Sequence, residues 1–237
     1  MKIAHMLKYF ISLCFIISST LIVSQEKDKQ EQKKDTIIYK TGYGLRLGVD
    51  ISKPALQFVD KSYTGFEIVG DYRVSKRWYV AAEIGHEEEI TFEDFTKSTS
   101  KGQYIRLGAN LNTYNNWLDM NNEIYVGGRY GLAIFDHTLN SFTPNVNSTY
   151  FPGIEQIVSK TQTGLTSHWF EFQVGIKAET FKNLFVGFSA AYKIGISIED
   201  QEGFKTLYAP GFNRVFSSNT GFGFNYTISY LIPFVNK

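Results

Sequence analysis

The 237 residues contain one cysteine, Cys14. No disulfide can therefore form within the chain in any compartment. A charge of one sign is also missing: the formal net charge is +1. Nothing electrostatic favours nucleic acid or a strongly acidic partner. From Tyr43 onward there is no apolar run of about 18 residues, so no membrane-crossing helix is expected there.

The N-terminus reads differently. Lys2 and Lys8 flank the start of an apolar run, FISLCFIISSTLIVS (Phe10–Ser24), and Ser24 is a small residue before Gln25. This is the pattern of a secretory signal peptide over residues 1–24. A spanning helix would need a longer run with less serine. Cys14 follows Leu13 and sits too early in the run for lipidation. Cleavage would remove two lysines and no acid, turning the formal charge to −1. The next stretch, QEKDKQEQKKDT (Gln25–Thr36), has no apolar residue to bury. Residues 25–41 are expected to form a disordered periplasmic tail.

What is abundant after that is alternation. Segments of about ten residues place an apolar side chain at every second position, the signal of a strand with two unlike faces. Eight are read: 42–52, 64–74, 78–87, 103–113, 123–135, 168–180, 184–198 and 219–234. The length suits a strand crossing a bilayer. Connections alternate between short (75–77, 114–122, 181–183) and long (52–63, 88–102, 136–167, 199–218). Short turns on one rim and long loops on the other are expected of an outer-membrane barrel. An even strand number puts both ends of residues 42–237 on the periplasmic side.

The two faces differ in chemistry. One carries residues such as Leu47, Phe66, Ile84, Leu107, Phe172, Phe188 and Phe222–Phe234 in alternation, with no Asp, Glu, Lys or Arg. The other carries Arg46, Asp50, Glu67, Asp71, Arg73, Glu83, Arg106, Glu123, Arg129, Glu171, Lys177, Glu179 and Lys193, with many glycines. An eight-stranded barrel has an interior only wide enough for its own side chains. Volume therefore sends the bulky apolar face outward to lipid, where a charge would cost roughly 2–4 kcal/mol. The charged face fills the lumen, where its members must pair. The fold expected is all-β: an eight-stranded antiparallel up-and-down transmembrane β-barrel.

The chain after Thr41 resembles the small eight-stranded outer-membrane barrels of Gram-negative bacteria. More narrowly, GLRLGVD (Gly44–Asp50), GFEIVGDYR (Gly65–Arg73) and AAEIG (Ala81–Gly85) resemble a family of barrels known only as a domain of unknown function. The C-terminal strand, rich in aromatics, is similar to the signal read by the outer-membrane insertion machinery. Val235–Lys237 extend past its usual terminal aromatic. The resemblance implies architecture, outer-membrane lipids and lipopolysaccharide as surroundings, and no particular activity.

Several groups invite chemical readings. His86-Glu87-Glu88-Glu89 at an outer rim offers ligands for a divalent cation, or a solvated rim. His137, Ser62 and Asp60 fall in outer loops, where lipid-acting barrel enzymes keep their Ser and His. Nucleophilic catalysis needs base and hydroxyl within hydrogen-bond reach, and no His-x-Ser pair lies on one strand face. The longest expected loop, 136–167, contains Phe142, Tyr150 and Phe151, fit for surface recognition or for an apolar pocket. The leading expectation is a non-enzymatic barrel acting through its outer loops, without cofactor or metal. The alternatives are lateral passage of a small hydrophobic molecule, a lipid-acting enzyme, and a soluble lipocalin-like carrier with the faces inverted.

Overall fold

The computed structural model describes residues 42–115, 121–144 and 153–236. The expected signal peptide, the tail, and Tyr150 and Phe151 lie outside the described residues. Eight long strands dominate: β1 (Gly42–Asp50), β2 (Tyr63–Arg73), β3 (Trp78–Glu93), β4 (Thr96–Asn112), β5 (Glu123–Phe142), β6 (Gln156–Phe181), β7 (Leu184–Ile198) and β10 (Thr220–Asn236). Between β1 and β2 lies one helix, α1 (Ser52–Val59). Between β7 and β10 lies a two-stranded ribbon, β8 (Tyr208–Ala209) and β9 (Asn213–Arg214).

Every long strand pairs antiparallel with its neighbour, in the order β1-β10-β7-β6-β5-β4-β3-β2. The last strand returns to the first, Asp50 facing Thr227 and Leu45 facing Ile232. Over the length of β1 the ladder therefore has no open edge. Alternation along the strands sets what lies on each side. Phe222 is 65% exposed and Ile84 53%, whereas Glu67 and Glu171 are fully buried. The soluble-carrier alternative required the reverse, an apolar interior.

Three strand ends differ from expectation. Segments 88–102 and 136–167 were expected as long loops. Instead β3 and β4 continue to a two-residue turn at Asp94–Phe95, and β5 and β6 extend as a hairpin with Phe142 facing Gln156. The β4 and β6 sides of these extensions include TKSTSKG and SKTQTG, which lack an apolar face, so periodicity could not mark them. At the other end, pairing continues past Pro233 to Asn236. A bulge between Tyr43 and Gly44 takes up the proline, which has no N–H to give the ladder.

Interior packing is set by aromatic rings against glycines. Tyr104 lies across from Gly85, Tyr125 across from Gly175 and Trp169 across from Gly131. A Cβ on Gly131 would sit 2.1 Å from the Trp169 ring. These glycines exist because the rings lie flat where a side chain would stand.

Candidate functional site

The lumen holds a connected set of charges. Near the short-turn rim, Arg46 reaches Asp71 and Glu123, both at 2.6 Å. Its guanidinium also lies over the rings of Tyr79 and Phe185, 4.8 and 5.0 Å from their centroids. Lys177 pairs with the other oxygen of Asp71. In the middle, Arg106 reaches Glu67 at 2.6 Å, Glu83 at 2.8 Å and Glu171 at 3.3 Å. Arg129 bonds Glu83 at 3.2 Å and donates to the carbonyls of Ala109 and Gly128. Trp169 and Gln173 donate to Glu171, and Asn225 to Glu67. Toward the outer rim, Lys193 lies 3.8 Å from Glu171 and donates to the carbonyl of Gly211.

Three residues of the expected network do other work. Asp50 accepts from Ser52 and from the backbone N–H of Tyr226, fixing where β1 gives way to α1. Arg73 donates to the carbonyls of Ser75 and Lys76, holding the β2–β3 turn. Glu179 accepts from the Asn121 side chain and from the backbone N–H of Asn183. What fills the lumen leaves little room. A central void of about 20 Å³ is lined by Asp71, Glu83, Arg129 and Lys177, and one of about 10 Å³ lies near Arg46. Voids of this size hold about one water each.

The mouth where the long connections gather is filled by residues that sequence reasoning missed. Glu87, expected on a solvated rim, is fully buried. It accepts from Lys53 at 2.5 Å, Tyr63 at 3.0 Å, Tyr208 at 2.7 Å and the Gly211 N–H at 2.7 Å. Burial alone would lower the Lys53 ammonium, but Glu87 and Glu67 outweigh it and the net direction is upward. Beside this cluster, Phe212 and Ala209 cap an apolar group of Tyr104, Ala133, Phe135, Leu165 and Trp169. Glu87 lay hidden because its partners come from segments 34 and more than 120 residues away.

The other expected sites do not assemble. Successive strand residues point to opposite faces. Glu87 thus turns inward while Glu88 pairs outside with Lys101 at 2.9 Å. Among the described residues no group of three or more His, Cys, Asp or Glu is placed to hold a metal. Ser62 donates to Asp60 at the α1–β2 turn, which holds the Asp60 carboxyl below its ordinary range. His137 is buried and stacked on Phe204, 5.4 Å between centroids. Phe142 ends β5, half-buried in the outer hairpin.

A larger hollow lies elsewhere. It measures about 700 Å³ and sits between α1 and the outer end of β10. Its walls include Ala55, Leu56, Val59, Phe222, Phe224 and Tyr226. Among the described residues no helix is long and apolar enough to cross a membrane, which says nothing of strands. No curated protein matches the chain. A family profile described as a domain of unknown function, DUF6048, matches residues 6–237. The chain belongs to the DUF6048 family.

Proposed function

We propose that this chain is an outer-membrane β-barrel with a sealed lumen, acting without catalysis through its outer rim. The observation that carries the reading is the inverted burial. Apolar residues such as Leu47, Phe66, Ile84, Leu107, Phe172 and Phe222 are exposed, while Glu67, Arg106, Glu171 and Lys193 are buried. In water such a surface would be a very large apolar patch. In a bilayer it is the lipid contact, and along β1 the ladder closes on both sides, leaving no edge there in hydrocarbon. On this reading outer-membrane lipids and lipopolysaccharide surround the strands, and the insertion machinery delivers the chain.

The small lumen voids support a structural, adhesive or recognition role over solute passage. The parts available for it are the β3–β4 and β5–β6 hairpins, α1 and residues 199–219. Short connections share the opposite rim, as outer-membrane barrels place them toward the periplasm.

The test has two arms. Membrane fractions are run in SDS with and without boiling, and the purified protein is placed in planar bilayers. The expected result is a heat-dependent shift in the outer-membrane fraction and no porin-like conductance. Recovery in the soluble fraction without a shift would overturn the membrane reading. Stepwise ion conductance would overturn the sealed lumen.

A further inference from the structure

The barrel wall is not of even height. β1 ends at Asp50, opposite Thr227. β10 runs on outward from there to Thr220, paired with β7 alone. β2 likewise continues from Ile68 to Tyr63, paired with β3 alone. Beyond Asp50, two strand edges therefore face each other with no strand between them. The segment leading into α1 covers the β10 edge. Ile51 donates to the Tyr226 carbonyl at 2.8 Å, and Ser52 approaches that of Phe224 at 3.5 Å. Asn213 supplies the next bond, to Phe222 at 3.0 Å.

The cover is greasy on its outer side. Phe58 is 89% exposed, and Val59 and Leu56 are exposed too. Between this helix and β10 lies the hollow of about 700 Å³, within the usual size of small-molecule sites. One wall is Phe222 and Phe224, which belong to the outward apolar face of β10. Its open side is thus continuous with the surface assigned to lipid. Its floor is formed with Tyr63 and Tyr208, whose hydroxyls end on Glu87 and shut the hollow off from the lumen. Asp60 and Glu89 line it as well. The cations there are already engaged: Lys53 by Glu87 and Arg214 by Glu93. The hollow therefore presents apolar walls and a surplus of carboxylate.

The geometry points to a binding site for one alkyl-chain amphiphile with a cationic headgroup, its chain between α1 and β10 and its ammonium at Asp60 and Glu89. The inference rests on the membrane reading for its supply of amphiphile. Charge complementarity selects the headgroup at pH 8, where a carboxylate would meet those of Asp60 and Glu89.

The test is titration of the detergent-folded full chain with hexadecylamine, hexadecanol and hexadecanoate, read as one-to-one adducts by native mass spectrometry. The expected result is one amine per barrel, bound at least tenfold tighter than the fatty acid. Ala55→Trp, which puts an indole into the hollow, should weaken the adduct while the unboiled SDS band stays in place. Glu89→Gln should weaken the amine and leave the alcohol unchanged. Equal binding of amine and fatty acid, or undiminished binding by Ala55→Trp, overturns the proposal. So does a cross-linked dimer through Phe58 that takes no amine, because a second copy would then own this face. A heat-shifting barrel without an amine adduct sinks the site and spares the membrane reading. A soluble, unshifted protein that binds the amine does the opposite.

Discussion

Replacing Arg106 by Met is the sharpest perturbation of the lumen. The guanidinium serves three buried carboxylates, Glu67, Glu83 and Glu171, within 2.6–3.3 Å. Methionine keeps much of the stem volume, so the packing loss is small. The electrostatic loss is not. Removing one partner of a buried ion pair costs about 3–5 kcal/mol, because the other charge is stranded. Glu83 still has Arg129 and Glu171 still has Lys193. Glu67 has no other ion-pair partner among the described residues, though Tyr104 and Asn225 still donate to it. The expected loss lies at the upper end, about 5 kcal/mol, or between three and four powers of ten in the folding constant. It is read by urea unfolding of the detergent-folded protein at pH 8, followed by circular dichroism. A second substitution, Glu67→Gln, removes the stranded charge and should return part of the loss. If Arg106→Met unfolds within about 1 kcal/mol of the parent, or Glu67→Gln brings no recovery, the account of the lumen is wrong.

Two further outcomes follow from other parts of the barrel. Gly131→Ala puts a methyl 2.1 Å from Trp169, and overpacking of this kind should cost about 1–3 kcal/mol, seen as a lower urea midpoint and loss of the unboiled SDS band. Glu89→Gln should stabilise the protein in a pH-dependent way. Burial first, then Asp60 and Glu87, push the Glu89 carboxyl up to about 7 from an ordinary 4.5. A raised carboxyl disfavours the folded state once ionised, so the parent loses stability between those two values as pH rises. The glutamine variant should match the parent near pH 4 and exceed it at pH 8; equal midpoints at both would refute this.

How much of this was legible depended on the apolar band along each strand. From Leu45 to Val49, or Phe222 to Phe234, one face is apolar and the other small or polar, and the period of two is plain. Both faces of the strands could be assigned because the charges fell on one phase. Above that band the contrast vanishes. Thr96–Gly102 and Ser159–Gly164 are polar on both faces, so strand extensions looked like loops. α1 has eight residues, too few to display a helical period, and Pro54 in its first turn reads equally as loop. The apolar hollow was expected around Phe142, yet it depends on β1 stopping short and α1 folding across. That is a matter of register, which no local pattern encodes. Glu87 looked like a solvent charge for the same reason, since only the fold brings Lys53 to it.

The cross-lumen ion pairs have a consequence for how the chain reaches its final state. Arg106 on β4 is answered by Glu67 on β2 and Glu171 on β6, and Asn225 on the last strand binds Glu67 on the second. Neighbouring strands alone cannot complete this set. A half-assembled ribbon would present unmatched charges on its inner side, and a wrongly joined one would keep them. The set of partners is complete only after β10 has met β1. The interior charges thus check the fold itself: they are fully matched only when the seam is correctly shut.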